Sequence, residues 1–306
     1  MISSLLIILG LVLFETVNSI DNAIVNAYVL KTMSHKWRKI FLFWGIITAV
    51  FIMRGLLPLL VVWLSVPEFG FWGAASAMFQ SSPEIAELME ARKPIILIGA
   101  GVFLMLLYLH WLFLEEKAPL FIPDKFIKPD YGIWFFAWAA MILIFLLYLA
   151  RESPYLMLSA AAGNAIFFIM YGFREQAEKQ TERLKRTSQV SDVSKFMYLE
   201  VLDASFSFDG VMGAFAFTTS IPLILIGNGI GALVVRELTI KGIDRVSTYK
   251  YLKNGAMTSI GILGVFIILE SFGVELPKYL PTVITFLLVG FAFWESRSAL
   301  RRTQDK

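Results

Sequence analysis

Apolar residues run along this chain in long blocks separated by short polar stretches, not as the single stripe of a soluble helix. The blocks are about 18–25 residues long, the length a helix needs to cross the hydrocarbon core of a bilayer. Alternating segments of strand length are missing, which argues against a β-barrel. The pattern predicts an all-α membrane protein of about nine transmembrane helices, at residues 4–30, 40–64, 94–114, 132–149, 155–172, 196–219, 221–238, 254–271 and 280–296. The segment FGFWGAASAMF (69–79) is apolar and aromatic but too short to cross, so an interfacial or re-entrant piece is expected there. The opening MISSLLIILGLVLF has no basic leader and no small-residue cleavage site, and its apolar run continues past Glu15. It reads as a first span and not as a removed signal peptide.

Charge placement sharpens the count. With the N-terminus outside, 21 of the 27 basic residues fall in inside segments and 4 outside, with Arg54 and Arg236 left within spans. Cationic loops stay on the cytoplasmic side, so nine spans with the N-terminus out and the C-terminus in is the expected topology. Composition agrees: 58% of residues are hydrophobic and 17% charged, against about 45–50% and about 25% in soluble domains. No cysteine is present, which removes disulfides and thiolate ligands. Residues 173–195 form the longest charged stretch and read as a solvated cytoplasmic connector.

Carboxylates stand where lipid disfavours them. The first span reads FETVNSIDNAIVNA, with Glu15 and Asp21, and the sixth reads YLEVLDASFSFDGVMGAF, with Glu200, Asp203 and Asp209. Each is followed by a span with one arginine, Arg54 or Arg236, and then by a span with a similar glycine run, GAGVFLMLL (99–107) or GILGVFIILE (261–270). The second cluster comes five spans after the first, with four spans between them, so the halves cross in opposite directions. This pattern predicts an inverted-topology repeat of spans 1–3 and 6–8, with a substrate site at the repeat interface. The chain then divides into a first repeat (1–114), middle spans with the charged connector (115–195), and a second repeat with the last span (196–306).

Each mid-helix charge costs about 2.5–3.5 kcal/mol on the insertion scale, so five acids call for compensation. At helical spacing Glu15, Asn18, Ser19, Asn22 and Asn26 share one stripe, as do Glu200, Asp203 and Ser207. Asp21 and Asp209 lie off these stripes. Either they point elsewhere or the helices unwind near 18–21 and 206–210, as substrate-binding helices of transporters do. Carboxylate and amide oxygens suit hard cations such as calcium, magnesium or manganese. The expected ligands are Glu15, Asp21, Glu200, Asp203 and Asp209, with Asn18, Asn22 and Ser207 as auxiliary oxygens and Arg54 and Arg236 holding the acids when metal is absent. Five acids against two arginines leave about three negative charges, and a buried acid without a cation favours its protonated form, so protons compete for the site. The alternative is that the acids only glue helices together.

Other features are weaker. His110 reads as a packing or interfacial histidine, with a ligand or proton-relay role as the alternative. GNGIG (227–231) reads as close helix packing, and Asn164 and Asn228 as lining the path or capping a helix break. No Ser/His pair, His-x-x-x-His or Gly-x-Gly-Asp lies near the acids, so no enzyme activity, resident cofactor or nucleic-acid partner is expected. The rivals to a carrier are a non-transporting membrane scaffold that escorts metal and, further off, an intramembrane acid-dyad hydrolase.

These motifs resemble the TerC family of integral membrane proteins, in its longer branch. ETVNSIDN matches the family's first motif at Glu15, Asp21 and Asn22, and Trp44, Gly45 and Arg54 match its next span. Glu200, Asp203, Phe206 and Asp209 match its second acidic motif, followed by Asn228, Arg236 and YLKNG (251–255). Gly210 stands where shorter members have serine, and Asn18 where they have an apolar residue. The resemblance implies metal homeostasis, most often manganese export, a historical link to tellurite resistance, and a bacterial inner-membrane location.

Overall fold

A computed structural model of the chain describes residues 2–45, 48, 54–65, 70–79, 83–127, 132–186, 191–241 and 248–304. Every regular element among them is helical. In order they are α1 (Ile2–Asn18), α2 (Ile20–Lys31), α3 (His35–Ile40) running into a π-helical turn (Phe41–Gly45), α4 (Arg54–Ser65), α5 (Gly70–Phe79) and α6 (Pro83–Leu114). Then come α7 (Ile122–Phe126), α8 (Gly132–Leu149), α9 (Pro154–Arg186), α10 (Asp192–Ala214), α11 (Ile221–Lys241), α12 (Leu252–Ser271) and α13 (Leu280–Gln304).

Six helices are long and apolar enough to cross a bilayer: Glu90–Leu114, Gly132–Leu149, Pro154–Gln176, Ile221–Ile240, Leu252–Ser271 and Leu280–Arg302. The pair α1 and α2, bent by 50° at Ser19, makes a seventh if it is one broken span. These helices fit a multi-pass membrane protein. Of the other two expected spans, α10 has the length but carries Glu200, Asp203 and Asp209 in its apolar stretch. The second is described only at its ends, by the π turn and α4, because residues 46, 47 and 49–53 lie outside the described residues. So do Lys128, Arg245 and Lys306 of the basic set and residues 187–190 of the connector. The short apolar segment at 70–79 forms the separate helix α5.

The two glycine-run helices sit at the centre. In α6 and α12, 78% and 56% of the apolar stretch is buried, against 17–22% in α8, α9, α11 and α13. The small residues explain the close approach: a Cβ added to Gly101 would lie 3.2 Å from the Gly264 carbonyl, and one on Gly264 3.4 Å from the Gly101 carbonyl. The GNGIG pair behaves likewise, with Gly227 against Leu11 and Gly231 against Glu15 of α1. Small residues let backbones meet where lipid offers no hydrophobic drive for association.

Near the bend at Ser19, Thr16 Oγ1 donates to the Val12 carbonyl (2.7 Å), the kind of side-chain bond that bends helices, and Ser19 Oγ donates to Glu15 Oε1 (2.9 Å). The helix bends in the first acidic span, where one of the two alternatives placed a break. The second acidic span differs: α10 runs unbroken through Phe206–Gly210, so unwinding there is not what turns Asp209 aside. Loops assigned to one side do meet. Lys195 Nζ donates to the Thr32 carbonyl (2.9 Å), and at the other end Lys93 Nζ reaches Glu270 Oε1 (2.6 Å).

Gly231 sets the spacing of α1 and α11, because a methyl there would stand 2.6–2.7 Å from Glu15 Cβ and Cγ. Gly231→Ala should destabilise the protein by about 1–3 kcal/mol. Gly290→Ala, with nothing within 4 Å, should be neutral or stabilising by up to about 1 kcal/mol. Thermal unfolding of the two purified variants side by side checks the contrast.

Candidate functional site

Where α2, the π turn, α4, α10 and α11 converge, a pocket of about 60 Å³ opens among polar side chains. Ser19, Asn22, Asn26, Arg54, Asp203, Ser207 and Arg236 line it, with Phe41, Leu42 and Val235 among its apolar walls. Asp203 is its one carboxylate, and Oδ1 accepts from Asn22 Nδ2 and Asn26 Nδ2, each at 2.7 Å. Both amides point their nitrogen at the acid, which leaves their own oxygens buried without a donor. Glu200, one helical turn before Asp203, buries two carboxylate oxygens without a donor. Its Oε1 faces Gly45 of the π turn, where a Cβ would stand only 2.7 Å away. Glycine at 45 makes room for the acid.

Glu15 and Asp209 lie beside this pocket without lining it. Glu15 has no exposed surface. Its Oε1 accepts from Arg54 Nη2 and from Ser19 Oγ, and its Oε2 lies against Gly210. Asp209, 3% exposed, accepts from Arg174 Nη2 through Oδ2. Asn228, fully buried, donates to the Gly210 carbonyl at 3.3 Å. Asp21 goes elsewhere. Its side chain is 41% exposed and meets Lys253 Nζ at 2.6 Å, and the same ammonium lies 2.5 Å from Glu115 Oε2. His110 joins this second network through Nδ1, 3.5 Å from Glu115 Oε1, while its ring packs on Phe135 and Tyr171.

The five acids are thus divided among three places instead of gathering into one ligand set. Among the described residues, no three histidine, aspartate or glutamate side chains meet closely enough to hold a metal. Helix rotation is the reason: Asp21 and Asp209 lie off the polar stripes of their helices. The expected arginine roles are also revised. Arg54 pairs with Glu15, but Asp209 takes Arg174 and Asp21 takes Lys253, two basic groups read from sequence as connector and loop charges. Arg236 lines the pocket with its Nε buried and without an acceptor. Asn18 ends α1 and does not line the pocket, and Asn164 lies inside continuous α9. Four basic side chains now face the five acids, which leaves a fixed charge near minus one if all are ionised.

What the site offers chemically is oxygen. Of eleven buried polar side-chain atoms without a hydrogen-bond partner among the described residues, seven are oxygens: Glu15 Oε2, Asn22 Oδ1, Asn26 Oδ1, both Glu200 oxygens, Asp209 Oδ1 and Asn228 Oδ1. A buried acceptor without a donor costs about 1–3 kcal/mol. These oxygens lie on four neighbouring helices, α1, α2, α10 and α11, and acceptors of this kind are chemically suited to protons or hard cations.

A family model described as "Protein of unknown function (DUF475)" matches residues 20–303. The chain belongs to this family. No curated protein and no solved structure matches it. The family's description assigns no activity, so function is argued from the site.

The second network supplies a pH test. Burial pushes the Glu115 carboxyl up, but the His110 hydrogen bond and the Lys253 charge outweigh it and hold the group at about 2, below its usual 4.5. A group so depressed stabilises the fold fully above its unfolded value and loses that contribution as pH falls toward its folded value. The thermal-stability gap between the protein and Glu115→Gln should be constant above pH 4.5 and close between pH 4.5 and about 2. Thermal unfolding at stepped pH measures it.

Proposed function

We propose that this protein is a secondary transporter that exports a hard divalent cation, with manganese the substrate, through the pocket around Asp203. The excess of buried donor-less oxygens carries the reading. Asp203 supplies charge, Asn22, Asn26, Ser19 and Ser207 supply neutral oxygens, and Glu200 stands one turn away. Both asparagine amides can turn their oxygens inward when a cation replaces their own N–H groups at Asp203. The resemblance to the TerC family supports manganese over calcium or magnesium and a bacterial inner membrane over other locations.

The contact pattern fits nine spans built as an inverted repeat. Helix α1 packs on α11 and α10 packs on α4, so each acidic helix contacts the arginine-bearing helix of the other half, while the third helices α6 and α12 pack on each other. Helix α10 counts as a span because its charges face protein. With the N-terminus outside, the Thr32–Lys195 contact lies at the cytoplasmic end and the Lys93–Glu270 contact at the outer end.

A dication entering a site of near-neutral fixed charge must displace the tethered bases or meet acids that have lost protons. Metal for proton exchange is therefore the proposed coupling. One observation favours a second reading, a metal-escorting membrane scaffold: Glu15, Asp21 and Asp209 are already ion-paired within the chain.

Flux separates the two. Proteoliposomes holding the purified chain should move manganese, driven by a pH gradient, and Asp203→Asn should abolish the flux. Binding without flux would establish the scaffold. Sidedness has its own test in this cysteine-free chain: an impermeant maleimide applied to intact cells should label Ser153→Cys and leave Ser34→Cys unlabelled. The opposite result inverts the topology.

A further inference from the structure

We propose that Glu15, Asp209 and Asn228 form a second cation station around Gly210, and that Arg54 is the counter-charge this station shares with the pocket around Asp203. The inference rests on the cation reading above and adds a separate site to it.

Three helices deliver the station. Glu15 comes from α1, Asp209 from α10 and Asn228 from α11, and they are 0%, 3% and 0% exposed. In each, one polar atom is committed and one oxygen is left over. Glu15 Oε1 takes Arg54 and Ser19, Asp209 Oδ2 takes Arg174, and Asn228 Nδ2 binds the Gly210 carbonyl. Glu15 Oε2, Asp209 Oδ1 and Asn228 Oδ1 have no donor among the described residues. The committed atoms fix the orientation of the free ones, so the three oxygens are pre-organised before any ligand arrives. Gly210 is what the three have in common: Asp209 precedes it in the chain, Asn228 binds its carbonyl and Glu15 Oε2 lies against it. A Cβ there would stand 2.3 Å from Glu15 Oε2, and Arg54 and Ser19 pin that carboxylate so that it cannot retreat. Two carboxylates and an amide carbonyl suit a hard cation.

Charge decides how the station works. Glu15 and Asp209 are balanced by Arg54 and Arg174, so a dication binds only if a guanidinium gives way. Arg54 has somewhere to go: it also lines the pocket of Asp203, and its charge acts on that carboxylate. An ion at the Gly210 station pushes Arg54 toward Asp203, and an ion in the pocket leaves Arg54 on Glu15. The two stations are then filled in alternation by one ion, which hands the guanidinium across as it passes.

The test counts manganese bound to the purified full chain, using the loss of the free-ion EPR signal. The protein should bind one ion per chain. Arg54→Gln removes the shared counter-charge, so both stations fill and the count should rise to two. Adding Asn228→Leu should return it to one, while adding Asn228→Asp, which keeps the oxygen, should leave it at two. Arg174→Gln frees Asp209 without touching Arg54 and keeps the test open if Arg54→Gln does not fold. It should tighten binding at least about tenfold, the scale on which supporting groups tune metal affinity, and Asn228→Leu should cancel the gain. A count that stays at one in Arg54→Gln overturns the second station, as does Asn228→Asp acting like Asn228→Leu. No binding to the unaltered chain overturns the cation reading itself, a different result from either.

Discussion

A carboxylate with no exposed surface has to be met by positive charge, and the ion pair of Glu15 with Arg54 is the constraint around which this helix bundle is arranged. Satisfying it brings α4 and its arginine to α1. The approach of α11 to the same acid requires Gly231, and the approach of α10 requires Gly210. The bend at Ser19 lies at the same place, where the Ser19 hydroxyl turns back to Glu15. Beyond the bend, α2 runs in a new direction and presents Asn22 and Asn26 to Asp203. The ion pair and the pocket share Arg54, which binds Glu15 and also lines the pocket.

The pairing also explains why so much buried polarity is left half satisfied. Glu15 and Asp209 each have a partner on one carboxylate oxygen only, and Glu200 has none among the described residues. In a bilayer no water reaches such groups to make up the deficit. A structural role alone would be served better by complete networks, because partly satisfied ones cost more than apolar packing. On the proposed cation reading, the deficit on the oxygen side is what the cargo would fill.

Much of this was legible in the sequence, because lipid forces it to be. Helix-length apolar blocks, the acids that interrupt them, the stripe of Asn22 and Asn26, and the GNGIG packing motif all follow from spacing. Among the described residues six of the nine blocks, or seven with the bent pair, hold as membrane-length helices, and the Asn22–Asn26 stripe and the GNGIG contacts hold as well. The partners of Asp209 and Asp21 did not follow. Arg174 follows the span predicted at 155–172 and reads from sequence as part of the solvated connector, whereas the membrane-length helix runs Pro154–Gln176 and includes it. Yet Phe167, Tyr171 and Arg174 recur at helical spacing, and the first two pack together in the core, so the stripe pointed the arginine inward. Lys253 was hidden by its place in a basic loop motif. Its long apolar stem lets the ammonium reach between Asp21 and Glu115, and the next residue, Asn254, ties the same region to Asp124 and the Ala118 carbonyl. Rotation about the helix axis decides which acids share a pocket, and a wheel drawn through an unbroken helix misses what a 50° bend does to it.

Locating the metal itself tests the cation reading most directly. Crystals of the full chain grown with manganese, measured on both sides of the manganese absorption edge, should give an anomalous peak either in the pocket between α2, α4, α10 and α11 or at the neighbouring junction of α1, α10 and α11. That peak should lie within coordinating distance of Asp203, or of Glu15 and Asp209. Anomalous density confined to the protein surface, with these oxygens bridged only by water or by one another, would contradict it.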